Sequence, residues 1–481
     1  MATGRARRRA SFGPAAVLFA SVAVVGAACG STTPDQPSAP PASPAANATL
    51  GPLFPPTATP APSTSTPSPD PDPRPLASSG SIALEGSDGS LSLVDTQGRV
   101  TSLVDASLGL YGFPAWSPDG SRIAALRSGD DGIAVVVIDI SQAGAGAAIT
   151  PKVIFRTPTV NPFYLYWHPD GKAVTFLADE GGDISLRTAA ADGTMPIDGS
   201  GPGSLVRKGS PFYFDWVGPD RLFAHIGDGA DAFLGQIGTD GKPVGAAVAS
   251  PGAFRSPDVS ADGRYVGYVR AGKAGIDAVV TAHLDGSSER SIPVVGLTAV
   301  GFSPVDDVLA SIGSPRPVEA SPGIPLGPLR LLDARTGDMR TLLDGEVITF
   351  DWSPDGKTIA AIRVVPIDAP GPSGSPASAA ASPSVGPSAS PGATIAIRLA
   401  FVDVATGRLR SDPEIAPASR YTNQLLTYFD QYALSHRMWA PDSSTLLVPQ
   451  VDESGATRTD VFYPDGGDPR PLDAQIGFWS R

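Results

Sequence analysis

Ala115-Trp116-Ser117-Pro118-Asp119-Gly120 is the stretch that decides the fold. Proline presets φ for the first central position of a tight turn, and glycine accepts the positive φ that ends it. The tryptophan ahead of the turn belongs to a strand, where its ring can pack between neighbouring sheets. The chain after the turn reads as three more strands, Ser121 to Leu126, Ile133 to Ile140 and Val153 to Arg156. Their lengths and their near lack of helical periodicity suit a sheet.

The hexapeptide recurs. All six tryptophans of the 481-residue chain occupy its second position, at Trp116, Trp167, Trp216, Trp352, Trp439 and Trp479. Two degenerate copies, Val259-Ser260-Ala261-Asp262-Gly263 and Phe302-Ser303-Pro304, fill the gap between the third and fourth. Apart from one long interval between Trp352 and Trp439, the spacing is that of four-stranded propeller blades. The recurring Trp-Ser-Pro-Asp-Gly over residues 80–481 resembles the TolB-like propeller repeats, which are related to WD repeats. It also resembles the propeller of prolyl oligopeptidase-type enzymes. The resemblance implies an all-β fold, a single β-propeller of four-stranded blades. No α/β domain precedes the repeats, as one does in TolB itself.

The two ends of the repeat region complement each other. Residues 80–105 supply three strands without a preceding tryptophan strand, and Ile476 to Arg481 supply a tryptophan strand without successors. The expectation is a ring closed by the C-terminal strand, which removes exposed sheet edges. Eight blades follow, or seven if one degenerate copy forms no separate sheet.

Ahead of the propeller, residues 1–28 read as a signal peptide, with Arg5, Arg7, Arg8 and Arg9 before an apolar stretch too short for a comfortable span. Val25-Gly26-Ala27-Ala28-Cys29 resembles the lipobox of bacterial lipoproteins, with Gly26 in place of the usual aliphatic residue. The resemblance implies lipidation of Cys29 and a protein exported and anchored to the outer face of the cell membrane. Ordinary cleavage near Ala28 and an uncleaved anchor are the alternatives. Cys29 is the one cysteine, so the chain has no internal disulfide. Residues 29–79 read as a Pro/Ser/Thr/Ala-rich tether with too little to bury for a stable fold.

The long interval holds two insertions. Residues 366–393 form a Pro/Ser/Ala/Gly tract, expected to be a disordered surface loop. Residues 417–436 are aromatic, outside the strand pattern, and the one place where helical spacing is plausible. Tyr428, Asp430, Gln431, Tyr432 and His436 are the candidate partner-binding residues there, because a non-repeating segment on a repeating scaffold is a place for function. The competing expectation is a short helix packed on the propeller.

The net charge of −13 argues against nucleic acid and against polybasic docking on lipid. The four histidines lie on different repeats without metal-ligand spacing, and no Gly-x-Ser-x-Gly elbow follows the repeats. No catalytic residue, metal site or cofactor is expected. Asp215 and Asp351 precede motif tryptophans and are candidates to face the central channel, either for function or to cap backbone amides between blades. The function expected is a non-catalytic propeller that holds a protein, peptide or glycan partner. The alternative is a lactonase- or glycosidase-like hydrolase. Three or more ionisable groups converging at the channel mouth favour the hydrolase, and capped carboxylates favour the binder.

Overall fold

A computed structural model describes residues 74–481, apart from 145–148, 202, 249–250, 253–254, 274–275, 315–323 and 367–394. The expected signal peptide, Cys29, nearly all of the expected tether and all but Pro366 of the 366–393 insertion lie outside the described residues.

The chain from Pro75 onward is all-β, built of successive antiparallel sheets, most of them four-stranded. In the first, the C-terminal strand Ile476–Trp479 pairs with Ile82–Glu85, which is followed by Leu91–Val94 and Val100–Val104. The second runs Leu110–Trp116, Arg122–Gly129, Gly132–Asp139 and Lys152–Arg156. The third runs Asn161–Trp167, Ala173–Asp179, Ile184–Ala190 and Leu205–Lys208. The fourth runs Phe212–Gly218, Arg221–Ile226, Phe233–Gly238 and Pro243–Val244. Ten strands from Asp258–Val259 to Leu409–Ser411 then form one continuous hydrogen-bonded run. Two long strands join its parts. Arg290–Phe302 pairs with Asp277–His283 through its first half and with Val308–Ser314 through its second. Met339–Trp352 does the same between Gly327–Asp333 and Thr358–Pro366. The last sheet holds Leu446–Val451, Thr457–Phe462 and Arg470–Leu472, with Trp439 bridged to Leu446.

The motif chemistry explains the repetition. In the first copy the Gly120 N–H donates to the Ser117 carbonyl at 2.9 Å, and Gly120 has φ of +68°. The Ser117 hydroxyl donates to Asp119 at 2.6 Å and accepts from the Arg122 N–H at 2.9 Å. Ser260 and Ser353 make the same pair of bonds in their copies. The serine therefore locks the turn to the start of the next strand. The tryptophans link sheet to sheet. Trp116 Nε1 donates to the Phe478 carbonyl at 2.9 Å and Trp167 Nε1 to the Ala115 carbonyl at 2.8 Å. Trp352 Nε1 reaches Gly301 at 3.1 Å and Trp439 Nε1 reaches Asp351 at 3.2 Å. Each acceptor is the residue before the motif position of the preceding copy. One local motif thus supplies both the turn within a sheet and the tie to its neighbour.

The compact unit starts at Pro75, five residues ahead of the expected start at 80. The reason is Leu76, which is fully buried, donates its N–H to Thr96 and accepts from the Thr445 hydroxyl at 2.8 Å. The aromatic insertion is only briefly helical. It turns through Tyr421–Leu425, Leu426–Tyr428 and the four-residue helix Phe429–Tyr432.

Candidate functional site

Residues of several motif-bearing strands line a common cavity, and the 417–436 segment packs against those strands. Gln431 is the clearest case. Its Oε1 accepts the Phe214 N–H at 3.0 Å, and its Nε2 donates to the Phe214 carbonyl at 2.9 Å and to the Tyr164 hydroxyl at 2.8 Å. The Tyr164 hydroxyl donates in turn to the Gln431 carbonyl at 2.9 Å. One carboxamide serves Phe214 as a paired strand would, meeting both backbone groups of a buried residue.

The neighbours of Gln431 anchor to other strands. Buried Asp430 accepts from the Ser256 N–H at 3.2 Å and faces Arg255 Nε at 3.4 Å. Burial pushes its carboxyl up, and Arg255 opposes that. Phe429 meets Phe350 edge-on at 5.3 Å between centroids. Half-buried Tyr432 stacks on Phe113 at 5.9 Å and meets Tyr164 edge-on at 5.4 Å. His436 packs against Phe478 at 4.8 Å. Its Nδ1 lies 2.6 Å from the Ser435 hydroxyl and its Nε2 lies 3.4 Å from the Phe113 carbonyl. A carbonyl can only accept, so Nε2 carries the proton and Nδ1 accepts from Ser435. Burial lowers this imidazole to about 4, so it is neutral in the fold. Arg420 pairs with buried Glu85 and lies over Phe113. Phe113 has φ of +52° at an irregularity in its strand's register. Its N–H donates to Glu85 at 3.2 Å, which holds the bulge in place.

Of the candidate residues in this segment, Asp430, Gln431 and His436 are buried and bonded inward, and Tyr432 is half-buried among rings. Tyr428 alone of the five is exposed, at 38%, with Tyr213 beside it at 6.5 Å. The segment's polar groups are thus turned toward the inner strands and hold it as a plug.

A cavity of about 740 Å³ lies against the plug. Phe429, Ala433 and Leu434 of the plug line it, and Pro169, Pro304 and Pro354 of the motif turns line it as well. Asp215 and Asp351 both face it, as does Asp258. Asp215 accepts from the Tyr166 hydroxyl at 3.0 Å, from the Trp216 N–H at 2.7 Å and from the Val259 N–H at 3.1 Å. Asp258 accepts from the N–H groups of Val259 and Phe302. Each of these two therefore caps a backbone amide of the next inner strand. Their carboxyls also contact each other, and burial pushes both above the usual range. Asp351 differs. Its carboxyl makes no hydrogen bond to a described residue, and burial raises it to about 7 against the pull of Arg437. Arg437 is lowered to about 10, first by burial and then by the charge of Arg481, which also lines the cavity.

Asp258, Arg437, Arg481 and Tyr166 escaped the sequence reading. The signal for Asp258 was present, because it precedes Val259 as Asp215 precedes Trp216. The arginines lie off the repeat register and carry no such mark. Among the described residues, no three His, Cys, Asp or Glu side chains are placed to hold a metal ion.

No family model and no curated protein sequence matches this chain. Solved structures do resemble it. A eukaryotic initiation factor is 13% identical, with 84% of this chain and 98% of that chain covered at a TM-score of 0.48. The TolB of Acinetobacter baumannii is 13% identical, with 83% and 82% covered at a TM-score of 0.34. A putative TolB from Agrobacterium tumefaciens is 19% identical, with 58% and 95% covered at 0.33. Oligogalacturonate lyase and prolyl endopeptidase structures stand beside them, and the chain is similar to TolB-like propellers in fold.

Proposed function

We propose that the chain is an eight-bladed propeller closed by its C-terminal strand, exported, tethered to the membrane through lipidated Cys29, and devoted to binding rather than catalysis. Its partner, a protein, peptide or glycan, rests on the face formed by the motif turns around the cavity mouth. The observation that carries this reading is the state of the acids. Asp215 and Asp258 hold backbone amides of neighbouring strands, so neither is a free carboxylate.

One observation favours the hydrolytic alternative. Asp351 faces the cavity with a carboxyl raised to about 7, the range of a general acid. Glycoside hydrolysis ordinarily needs two carboxylates flanking the scissile bond. The other four acids of the cavity are engaged, Asp215 and Asp258 in capping, Asp262 with Arg264 and Asp430 with Arg255, which leaves Asp351 without a free second.

Two measurements test the binding reading. The full chain should take up a fatty-acid analogue and fractionate with membranes, and Cys29→Ala should do neither. A label on the variant, or none on the wild type, defeats the tether. Crosslinking on cells should capture a partner whose yield falls with Val305→Glu, a change at an exposed position on a motif turn. Asp351→Asn should leave that capture intact. Capture indifferent to Val305 but lost with Asp351 reverses the assignment.

A further inference from the structure

The cavity's charges are unevenly distributed. Five carboxyls line it, and none of them pairs with its two guanidiniums. Asp215 and Asp258 are turned to backbone amides and to each other, Asp262 pairs with Arg264, and Asp430 faces Arg255. Among the described residues, Arg437 and Arg481 make no ion pair within 4 Å and no side-chain hydrogen bond, although the charge of one is felt by the other. Asp351 influences Arg437 only at longer range. Arg437 is half-buried and Arg481 exposed, so one cation stands inside the cavity and the other nearer solvent.

A half-buried guanidinium with no carboxylate beside it is a ready partner for a ligand that supplies one. The guanidinium is a planar fork that suits a carboxylate in two-point contact. Part of the wall is apolar. Val300, Phe350, Trp352, Met438 and Trp439 line the same cavity, and Phe429 and Leu434 line it from the plug. The volume, about 740 Å³, is that of a small-molecule site, and its apolar side chains stand beside charged groups that can orient a ligand.

We infer that the cavity binds a small monocarboxylate with an aromatic or branched apolar body, its carboxylate held by Arg437 with Arg481 assisting and its body against Phe350, Trp352 and Met438. This goes beyond macromolecular binding at the turn face and does not depend on it. The charge requirement excludes neutral isosteres of the same shape.

Trp216, Trp352 and Trp439 line the cavity, so tryptophan fluorescence reports its occupation. The probe is phenylacetate, titrated into the purified full chain, with phenylacetamide as the uncharged counterpart. Phenylacetate should give a saturable change, and phenylacetamide should bind at least roughly tenfold more weakly, since a hydrogen bond to a charged group is worth about 1.5–3 kcal/mol. Arg437→Gln should weaken phenylacetate by roughly tenfold or more and leave phenylacetamide unchanged. Arg481→Gln, at an exposed position, should weaken phenylacetate by a smaller factor. An unchanged thermal melting curve for each variant separates lost binding from lost folding. No saturable change up to about 10 mM phenylacetate overturns the inference, because millimolar affinity is the least that the arginine and the apolar wall should provide. Equal binding of acid and amide, or binding indifferent to both arginine variants, overturns it as well. Failure here leaves partner capture at the turn face untouched, because Val305 lies outside the cavity.

Discussion

The repeat sheets and the 417–436 plug are held by opposite strategies. A repeat uses one link many times: a serine locks the turn, and an indole reaches the preceding copy's carbonyl. Every such link is encoded within a six-residue motif. The plug uses each link once. Gln431 serves Phe214, Asp430 serves Ser256, Phe429 meets Phe350 and His436 meets Phe478. Redundant links should tolerate loss, whereas single-copy links should not. The exception within the repeats is the pairing of Ile476–Trp479 with Ile82–Glu85, which is a repeat strand present in one copy and supplied from the far end of the chain.

That exception gives the largest expected effect. Deleting Ile476 to Arg481 strips the first sheet of a paired strand and removes Phe478 and Trp479, both fully buried. It also removes the carbonyl that Trp116 Nε1 bonds and the ring that His436 packs on. The truncated protein should aggregate or lose most of its thermal stability by calorimetry. A melting temperature within a few degrees of wild type would place the strand outside the cooperative unit.

Gln431→Leu comes next. It keeps the volume and removes the carboxamide, leaving the Phe214 N–H and carbonyl and the Tyr164 hydroxyl short of partners in a buried site. At about 1–3 kcal/mol for each unsatisfied buried group, the loss should reach several kcal/mol in a urea titration. A loss below about 1 kcal/mol would mean that the plug is not held by this contact.

The sequence made the repeats legible and the plug illegible for the same reason, which is distance along the chain. Ser117, Asp119 and Gly120 act on one another across two or three positions, so their chemistry survives in a linear reading. Gln431 acts on Phe214, 217 positions away, and on Tyr164, 267 positions away. Its aromatic and polar neighbours look the same whether they face a partner or the inside of a ring. The placement of the sheets decides, and that placement appears only once they are assembled. Asp215 shows the intermediate case. Its place before Trp216 pointed to the channel, but the amide it caps belongs to Val259 in the next copy.

The plug's histidine gives a pH-dependent prediction. His436 is neutral in the fold and lowered to about 4 by burial. The unfolded chain takes up a proton near pH 6.5, so between there and pH 4 the unfolded state binds more protons and stability falls as the pH falls. Below pH 4 both states are protonated and the loss stops growing, at about 3 kcal/mol. Asp351 works the other way. Its raised carboxyl is protonated in the fold before it is in the unfolded chain, so it adds stability as the pH falls through about 7. Comparing wild type with His436→Gln isolates the histidine. The difference in stability between them should shift toward the variant from pH 7 to pH 4, measured by urea denaturation at each pH. A constant difference would mean that His436 takes its proton inside the fold.

The smallest expected effect tests the indole link itself, because the repeat contains its own control. Trp167 Nε1 donates to the Ala115 carbonyl at 2.8 Å, while Trp216 Nε1 is buried with no hydrogen-bond partner. The two rings hold the same motif position on adjacent sheets. Trp216 instead meets His168 edge-on at 4.7 Å. Replacing each by phenylalanine removes similar apolar volume, so both variants should lose some stability through packing. Trp167→Phe also gives up a hydrogen bond, worth about 1 kcal/mol net. Trp216→Phe gives up none and relieves a buried donor of its missing partner, which offsets part of its packing loss. Trp167 is also the more deeply buried of the two, which adds to the gap in the same direction. Trp167→Phe should therefore be the less stable variant by about 1 kcal/mol or more in urea. If the two variants lose equally, the tryptophans join the sheets by packing alone, and the shared position of their carbonyl acceptors is a consequence of the ring rather than a cause of it.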